Sequence, residues 1–298
     1  PAQQVTRSDP LALAALPSGP DVAGLWRELA GSASGAGLSG GMGLAVEPAL
    51  GIDGSGHPVL AWADARNGNF EIHVLRHNGT AWEMLGGSAQ GGGISATAGS
   101  SRQPSLAFAA DGSPVVAWIE TVGSQSEVRV ARFDALANGG AGGWVAVGGS
   151  LDSGGISDSG GVREVKLLRT GSTLAALWID DSSGTAQVYG RQFDGSNWVA
   201  LGDGSTSGSG ISGFASSVSE LQVATDGTRV AVAWTGTVVG RQQVFVKQLD
   251  GGVWAGLAGS AANSGVSDSA GEASAATLAY FGGELFAVWQ DMVDGFQN

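Results

Sequence analysis

The segment Pro104–Phe133 (PSLAFAADGSPVVAWIETVGSQSEVRVARF) contains three consecutive strand patterns separated by turn residues. The first, Pro104–Ala109, runs into an Asp-Gly turn, and the second, Pro114–Ile119, is apolar throughout. The third, Glu127–Phe133, alternates apolar and polar side chains, which is typical of a half-buried strand. A fourth short pattern follows at Trp144–Val147. This part of the chain therefore predicts a four-stranded antiparallel unit, with its strands called A to D in chain order.

The same unit recurs with a period of about 57 residues, as three sets of markers show. One tryptophan series ends the apolar B pattern: Trp62, Trp118, Trp178, Trp234 and Trp289. A second series opens a Trp-x-x-[Leu/Val] phrase at strand D: Trp26, Trp82, Trp144, Trp198 and Trp254. The third marker is a Gly-[Ile/Leu/Val]-Ser phrase between units, with the serines Ser39, Ser95, Ser157, Ser212 and Ser267. Because the three sets keep one period, the chain is a repeat protein.

Four short strands per period of this length are typical of a β-propeller blade. We therefore predict an all-β, five-bladed propeller in a single domain over residues 1–298, with four blades near residues 45–86, 103–148, 162–202 and 217–258. The repeat phase predicts a fifth blade shared between the chain ends, near residues 10–30 (strands C and D, including Leu11–Leu16) and 272–298 (strands A and B). Sharing a blade would close the ring and cover two sheet edges. The alternative is a segment of a longer repeat array.

Composition excludes several classes of function. The 298 residues include 52 Gly and no Cys, and the formal net charge is −13. This charge argues against nucleic acids and anionic membrane surfaces as partners, because both are bound through Lys and Arg clusters. No apolar run approaches the ~20 residues of a membrane span, so no membrane insertion is expected. We expect a monomer that is secreted or displayed on a bacterial cell surface.

The phrase Trp62–Val74 (WADARNGNFEIHV) resembles the repeat of bacterial sialidase-like propellers, in which W-x-D-x-R-x-G-x-x-[DE]-I-x-V joins strands B and C. The turns Asp194–Trp198 and Asp250–Trp254 look like degenerate Asp boxes of the same family. The resemblance implies the propeller scaffold but not sialidase chemistry, because the family's Arg triad is not matched and only Tyr189 and Tyr280 are tyrosines. By blade count the chain is also similar to tachylectin-type five-bladed lectins.

The edge of the propeller that carries the B–C turns and the long connections between blades, here the loop-rich edge, is the predicted functional surface. Long loops are typically either functional or disordered. Each connection carries a Gly-[Ile/Leu/Val]-Ser phrase, which predicts either a structural clamp or a set of polar ligand-binding pockets around the five serines given above.

Acidic residues two positions after the strand B tryptophans predict a partial crown at the same edge: Asp64, Glu120, Asp180 and Asp291. These carboxylates, with Arg66, could bind a sugar, and the four acids could bind Ca²⁺, which takes oxygen ligands. A pair such as Asp64 and Asp180 could act as glycosidase carboxylates. Alternatively, each acid caps its own turn by accepting backbone N–H bonds. No other cofactor is predicted.

From the sequence we expect a non-enzymatic extracellular module, without catalytic residues, that recognises a glycan or a surface protein through the loop-rich edge. Two alternatives remain open. One is a glycoside hydrolase with a carboxylate pair at the channel mouth. The other is a structural module of a large bacterial adhesin.

Overall fold

A computed structural model describes residues 28–41, 43–293 and 296–297. The chain divides into two compact units, Pro1–Gly40 and Gly41–Asn298. In the first unit, residues 28–40 form turns, in which the Ser34 hydroxyl donates a 2.6 Å hydrogen bond to Glu28. The predicted N-terminal strands at Leu11–Leu16 and Trp26 lie outside the described residues. No helix within the described part of the chain is long and apolar enough to cross a membrane.

In the second unit, the described residues form five antiparallel sheets in chain order. The first sheet contains β1 (Ala45–Ile52), β2 (Pro58–Asp64), β3 (Glu71–His77) and β4 (Trp82–Glu83). The second contains β5 (Ser100–Phe108), β6 (Pro114–Val122), β7 (Gln125–Asp134) and β8 (Gly143–Ala146), with the one-turn α1 (Ala137–Gly140) between the last two. The third contains β9 (Val162–Thr170), β10 (Thr173–Asp180), β11 (Gln187–Phe193) and β12 (Trp198–Ala200). The fourth contains β13 (Val218–Thr225), β14 (Val230–Val238), β15 (Arg241–Asp250) and β16 (Val253–Gly256), and the fifth contains β17 (Glu272–Phe281), β18 (Glu284–Val293) and β19 (Phe296–Gln297).

This arrangement confirms the all-β class and is consistent with a propeller. Each successive sheet packs its tryptophan-bearing face on the preceding one: Trp118 lies against Val59 and Ala61 of the first sheet. Trp178 packs in the same way on Val115 and other residues of the second sheet. The strand B patterns are apolar throughout because both faces of the middle sheets are covered. The first strands of neighbouring sheets contact one another, so they form the inner side of the array.

The strand D tryptophans connect neighbouring sheets through their indole N–H groups. Trp198 donates a 2.7 Å hydrogen bond to the carbonyl of Val147 in the preceding sheet. Trp144 and Trp254 donate equivalent bonds, at 2.9 and 2.6 Å, to Leu85 and Leu201. Each acceptor is the aliphatic residue of the preceding Trp-x-x-[Leu/Val] phrase, so this marker of the repeat has a structural role between sheets.

The fifth sheet differs from the prediction at its third strand. The sequence assigned residues 272–298 to strands A and B alone, but Phe296–Gln297 pairs with β18 as a short third strand. The outward faces of the two end sheets also differ from the covered faces between sheets. Leu50 and Ile52 in the first sheet are 68% and 58% exposed, and Phe286 and Val288 in the fifth are 48% and 65% exposed.

Candidate functional site

The predicted serines of the connecting loops are held by the third strand of the preceding sheet. The hydroxyl of Ser212 donates a 2.7 Å hydrogen bond to the Gln187 side chain and accepts one from the Val188 N–H group. Ser95, Ser157 and Ser267 form the same two bonds, each with the third strand of the sheet that precedes its loop. Ser39 lies in the unit Pro1–Gly40. The four serines thus have internal partners, and a ligand role for them stays a prediction.

We call each such serine, with the Glu or Gln that starts the third strand, a loop clamp. The four pairs are Ser95–Glu71, Ser157–Glu127, Ser212–Gln187 and Ser267–Gln243. The glycine two residues before the serine is required in every clamp. A Cβ atom at Gly210 would lie 2.2 Å from the Val188 carbonyl oxygen, and a Cβ atom at the glycine of each other clamp would lie 2.0–2.2 Å from the equivalent oxygen. The sequence interpretation missed the Glu/Gln partners. Their fixed position at the start of strand C was the available signal.

In the first sheet the clamp contains a carboxylate with a perturbed pKa. Burial raises the pKa of Glu71, hydrogen bonds from Ser95 and Asn69 oppose that effect in part, and the negative charge of Glu120 adds to it. Asn69 also donates to the carbonyls of Thr97 and Gly99, as Gln187 does to two loop carbonyls in the third sheet. In the first sheet, Glu71 therefore accepts from the serine and Asn69 donates to the loop carbonyls, whereas Gln187 does both in the third sheet.

The predicted acidic crown is divided into separate local contacts. Asp64 accepts hydrogen bonds from the Arg66 backbone and the Trp62 indole, and its carboxylate pairs with the Arg66 guanidinium at 2.5 Å. Burial alone would raise the pKa of Asp64, but these hydrogen bonds outweigh burial and lower it to about 2. Asp180 accepts from the backbone and hydroxyl of Ser182, at 2.9 and 2.5 Å.

The other two acids also have nearby partners. Glu120 lies 3.5 Å from the Arg129 guanidinium, and Asp291 accepts a 2.5 Å bond from Ser269. Within the described residues, which include all four crown acids, no three acidic or histidine side chains converge as metal ligands. Each acid is on a different sheet and bound to its own surroundings, and a Ca²⁺ site at Asp64, Glu120, Asp180 and Asp291 stays a prediction.

A second set of equivalent positions, some of them acidic, lies on the inner strands, where each strand begins at the loop-rich edge. Glu47, Gln103, Glu220 and Ala275 occupy equivalent positions and have φ between 51° and 58°. Each coincides with a shift in register between the first and second strands of its sheet. Such a β-bulge redirects a side chain from the regular strand pattern. A non-glycine residue in this region costs about 1–3 kcal/mol, which points to a structural or functional requirement.

Glu164 occupies the corresponding position in the third sheet, and its carboxylate lies beside Glu220. The Oε2 atom of Glu164 accepts a 2.9 Å hydrogen bond from the backbone N–H of Leu221, the residue that follows Glu220. The Oε1 atom lies 3.3 Å from Nζ of Lys166. Glu220 has different partners, because its Oε2 atom accepts from the Thr235 hydroxyl at 2.5 Å and from the Ala275 N–H at 2.8 Å. The two carboxylates are therefore neighbours in unlike electrostatic surroundings.

Both carboxylates line a cavity of about 290 Å³ at the loop-rich edge, together with Arg163 and Asp181. Arg163 and Glu164 also line an adjoining cavity of about 560 Å³ that extends to Glu47 of the first sheet. A still larger cavity of about 850 Å³ lies at the opposite edge. Its carboxylates Asp53 and Asp111 accept backbone N–H bonds within their own turns, so it offers less for chemistry.

Comparisons with models of protein families and with curated proteins found no match. Among solved structures, the chain resembles a protein of unknown function from Dyadobacter fermentans, with a TM-score of 0.50, 12% identity and coverage of 85% of this chain and 76% of that one. It also resembles the Penicillium chrysogenum α-L-arabinanase complexed with arabinobiose (TM-score 0.47, 14% identity, coverage 85% and 76%). A third neighbour is a Fusarium graminearum α-L-arabinofuranosidase (0.48, 14%, 82% and 74%). These neighbours are propeller-like folds, and no family match supports the sialidase-like resemblance.

The comparisons correct the functional prediction. Several structural neighbours with a named activity are arabinanases or arabinofuranosidases. This finding contradicts the expectation of a non-enzymatic module that binds a glycan or protein, while at 11–14% identity the likeness itself shows the fold alone. The pair suggested from sequence, Asp64 and Asp180, is not brought together as one cluster, because the second sheet lies between their sheets.

Proposed function

We propose that this protein hydrolyses glycosidic bonds in the cavity at the loop-rich edge, with Glu164 and Glu220 as its catalytic carboxylates. One observation carries the proposal: two carboxylates on adjacent sheets line one cavity, and only one of them has a cationic partner among the described residues. Most glycoside hydrolases use two carboxyl groups that flank the scissile bond and differ in protonation.

Glu164 and Glu220 have different roles in the proposed reaction. Glu164 lies 3.3 Å from the Lys166 ammonium group, and we assign it as the carboxylate that stabilises the developing positive charge at the anomeric carbon. We assign the second carboxylate of the cavity, Glu220, the role of general acid. Its proton moves to the glycosidic oxygen as the bond to the anomeric carbon breaks. Water then adds its oxygen to that carbon, and its proton restores the acid.

The two adjoining cavities favour an oligosaccharide as the substrate. Together they form a polar space that Arg163 and Glu164 share, with Lys166 on one wall. Mixed donors and acceptors of this kind match sugar hydroxyl groups, which both donate and accept. The proposed glycan partner follows from this site, while secretion, bacterial surface display and the monomeric state stay predictions.

The test is hydrolysis of a panel of 4-nitrophenyl glycosides that includes arabinofuranoside, xyloside, galactoside and glucoside. Glu164→Gln and Glu220→Gln should each lower kcat/KM by about 10²–10⁴. Because a glutamine oxygen can still accept the hydrogen bonds that link the sheets, the variants should stay folded, as urea unfolding will show. Glu83→Gln is the matched control, since Glu83 lies on an outer strand and pairs with Arg76.

Two results would overturn the proposal. One is the absence of hydrolysis across the whole panel by the wild-type protein. The other is hydrolysis that both cavity variants retain at the wild-type rate, which would leave the two carboxylates as structural links between sheets.

Closure into a five-bladed ring, with the fifth blade shared between residues 10–30 and 272–298, stays a prediction. Two features support it. In the part of the chain that the structure describes, the fifth sheet has two long strands and a third of two residues, whereas the other four sheets have four strands each. The apolar side chains exposed on the first and fifth sheets, such as Leu50 and Val288, are on the faces that closure would cover.

A further inference from the structure

We infer that the third sheet carries a second site, separate from the catalytic cavity, which binds a single neutral sugar residue. The site is a pocket of about 280 Å³ at the loop-rich edge, and we call it the Tyr189 pocket. Its principal lining residues are Asp158, Trp178, Asp180, Tyr189, Arg191 and Ser207.

The size of the pocket limits its occupant. Pockets for drug-sized ligands have volumes of about 300–1,000 Å³. The Tyr189 pocket lies just below this range, so it suits one monosaccharide unit rather than an extended chain. Two aromatic side chains line the pocket. Trp178 is almost fully buried, and Tyr189 is half-buried and forms an aromatic wall. An aromatic ring offers the apolar face on which sugar C–H groups pack.

The polar groups of the pocket include both acceptors and donors. Asp180 is buried, and its carboxylate accepts hydrogen bonds from the Ser182 backbone and from the hydroxyls of Ser182 and Ser159. A carboxylate has about four acceptor positions, so one remains for a ligand hydroxyl. Arg191 uses Nη1 on the Trp198 carbonyl, and its buried Nε has no hydrogen-bond partner. Hydroxyl groups, which both donate and accept, match this mixture better than an anion or a cation does.

The equivalent space in other sheets is filled by the protein's own side chains. In the first sheet, Arg66 occupies the position of Ser182 and pairs with the buried Asp64. In the second sheet, Arg129 occupies the position of Tyr189 and lies 3.5 Å from Glu120. Among these sheets, only the third combines a small residue two positions after the acid with a tyrosine opposite the strand B tryptophan. Among the first four sheets, the inference is therefore one such pocket.

In the fourth sheet the space is closed in a third way. Gly236 replaces the acid, and the ring of Phe214 occupies the place where its side chain would be, 2.5 Å from the position of a Cβ atom. Phe214 also packs on Phe245, with the ring centroids 4.6 Å apart. The loss of the acid thus coincides with the loss of the pocket. This correlation favours a ligand role for Asp180 in addition to the capping of its turn.

The experiment measures binding of L-arabinose, D-xylose, D-galactose and D-glucose to the full chain by saturation-transfer NMR and calorimetry. We expect at least one of these sugars to bind at the Tyr189 pocket in the millimolar range. Ser182→Arg should weaken binding about tenfold or more, because the arginine would pair with Asp180 and fill the pocket as Arg66 does in the first sheet. Asp64→Asn is the matched control, since its pocket is already filled, and it should bind sugar as the wild-type protein does.

A second variant, Tyr189→Ala, tests the aromatic wall and should also lose binding, with thermal unfolding as the check that both variants remain folded. The inference is overturned if none of the four sugars binds, or if Ser182→Arg binds as the wild type does. Because binding is measured without turnover, failure here is distinct from failure of the proposed hydrolase activity.

Discussion

Replacing Gly210 by alanine should destabilise the protein far more than the same change at Gly208 in the same loop. Both glycines have a positive φ, +61° and +57°, so both variants incur the cost of about 1–2 kcal/mol for an L-residue in the left-handed region. Only at Gly210 would the new Cβ meet backbone, 2.2 Å from the Val188 carbonyl oxygen, whereas no atom lies within 4 Å at Gly208.

The additional cost at Gly210 follows from the bonds that the loop would break to relieve this overlap. The Ile211 N–H donates a 2.7 Å bond to the same Val188 oxygen, and the Val188 N–H donates a 2.9 Å bond to Ser212. Leaving a buried polar group unpaired costs about 1–3 kcal/mol. With two bonds at risk and Ile211 only 2% exposed, Gly210→Ala should lose about 3 kcal/mol or more relative to Gly208→Ala.

Urea unfolding followed by tryptophan fluorescence measures this difference, provided that the dependence on urea concentration is the same for both variants. A difference below about 0.5 kcal/mol would refute the loop clamp as a rigid contact, since independent surface changes usually fall within that range. Ser212→Ala measures the contribution of the clamp hydrogen bonds separately, because it removes the Ser212 hydroxyl without introducing a steric overlap.

Two further predictions concern Glu71 and Val288. Burial raises the pKa of Glu71, so the folded state binds this proton more tightly than the unfolded state, and stability falls as pH rises from 4.5 through the raised pKa. Relative to the wild type, Glu71→Gln should therefore become more stable as the pH increases from 4.5 to 7, and it should show no gain below pH 4.5. Urea unfolding at several pH values measures this difference, and a difference that does not change with pH would contradict the prediction. Val288→Asp should lower the free energy of unfolding by more than about 2 kcal/mol if ring closure buries this face, because an unpaired charge would be buried. An unchanged unfolding midpoint would show that the face stays exposed to water.

The strand organisation could be predicted from sequence because it depends on local patterns. The strand B patterns are apolar throughout, and Asp-Gly and Asn-Gly turns follow strands A and C, so Pro114–Ile119 and its equivalents were recognised as strands. The observed strand is longer, Pro114–Val122, because pairing with β7 continues up to Val122 and Gln125. The end of such a hairpin depends on cross-strand partners, which local patterns do not contain.

The sequence predicted where the candidate site lies but not which residues form it. Long connections indicated the loop-rich edge, and both proposed sites lie there. The conspicuous acids after the strand B tryptophans proved to be bound to local partners, as Asp64 is to Arg66. The catalytic candidates Glu164 and Glu220 were overlooked because they precede the regular strand pattern. The recurrence of Glu or Gln there in four of the five repeats was the signal that could have identified them.

The sequence by itself determined the repeating unit, its strands and the loops between units, because each depends on the order of apolar, polar and turn residues within one period. Only the tertiary structure decided which side chains meet. Glu164 and Glu220 are one full repeat apart in the chain, and they become neighbours because Glu164 accepts a hydrogen bond from the backbone of the next sheet. Whether an acid pairs with an arginine, caps a turn or faces a cavity depends on such contacts between sheets, and a periodic sequence places equivalent residues in all of them without distinguishing their surroundings.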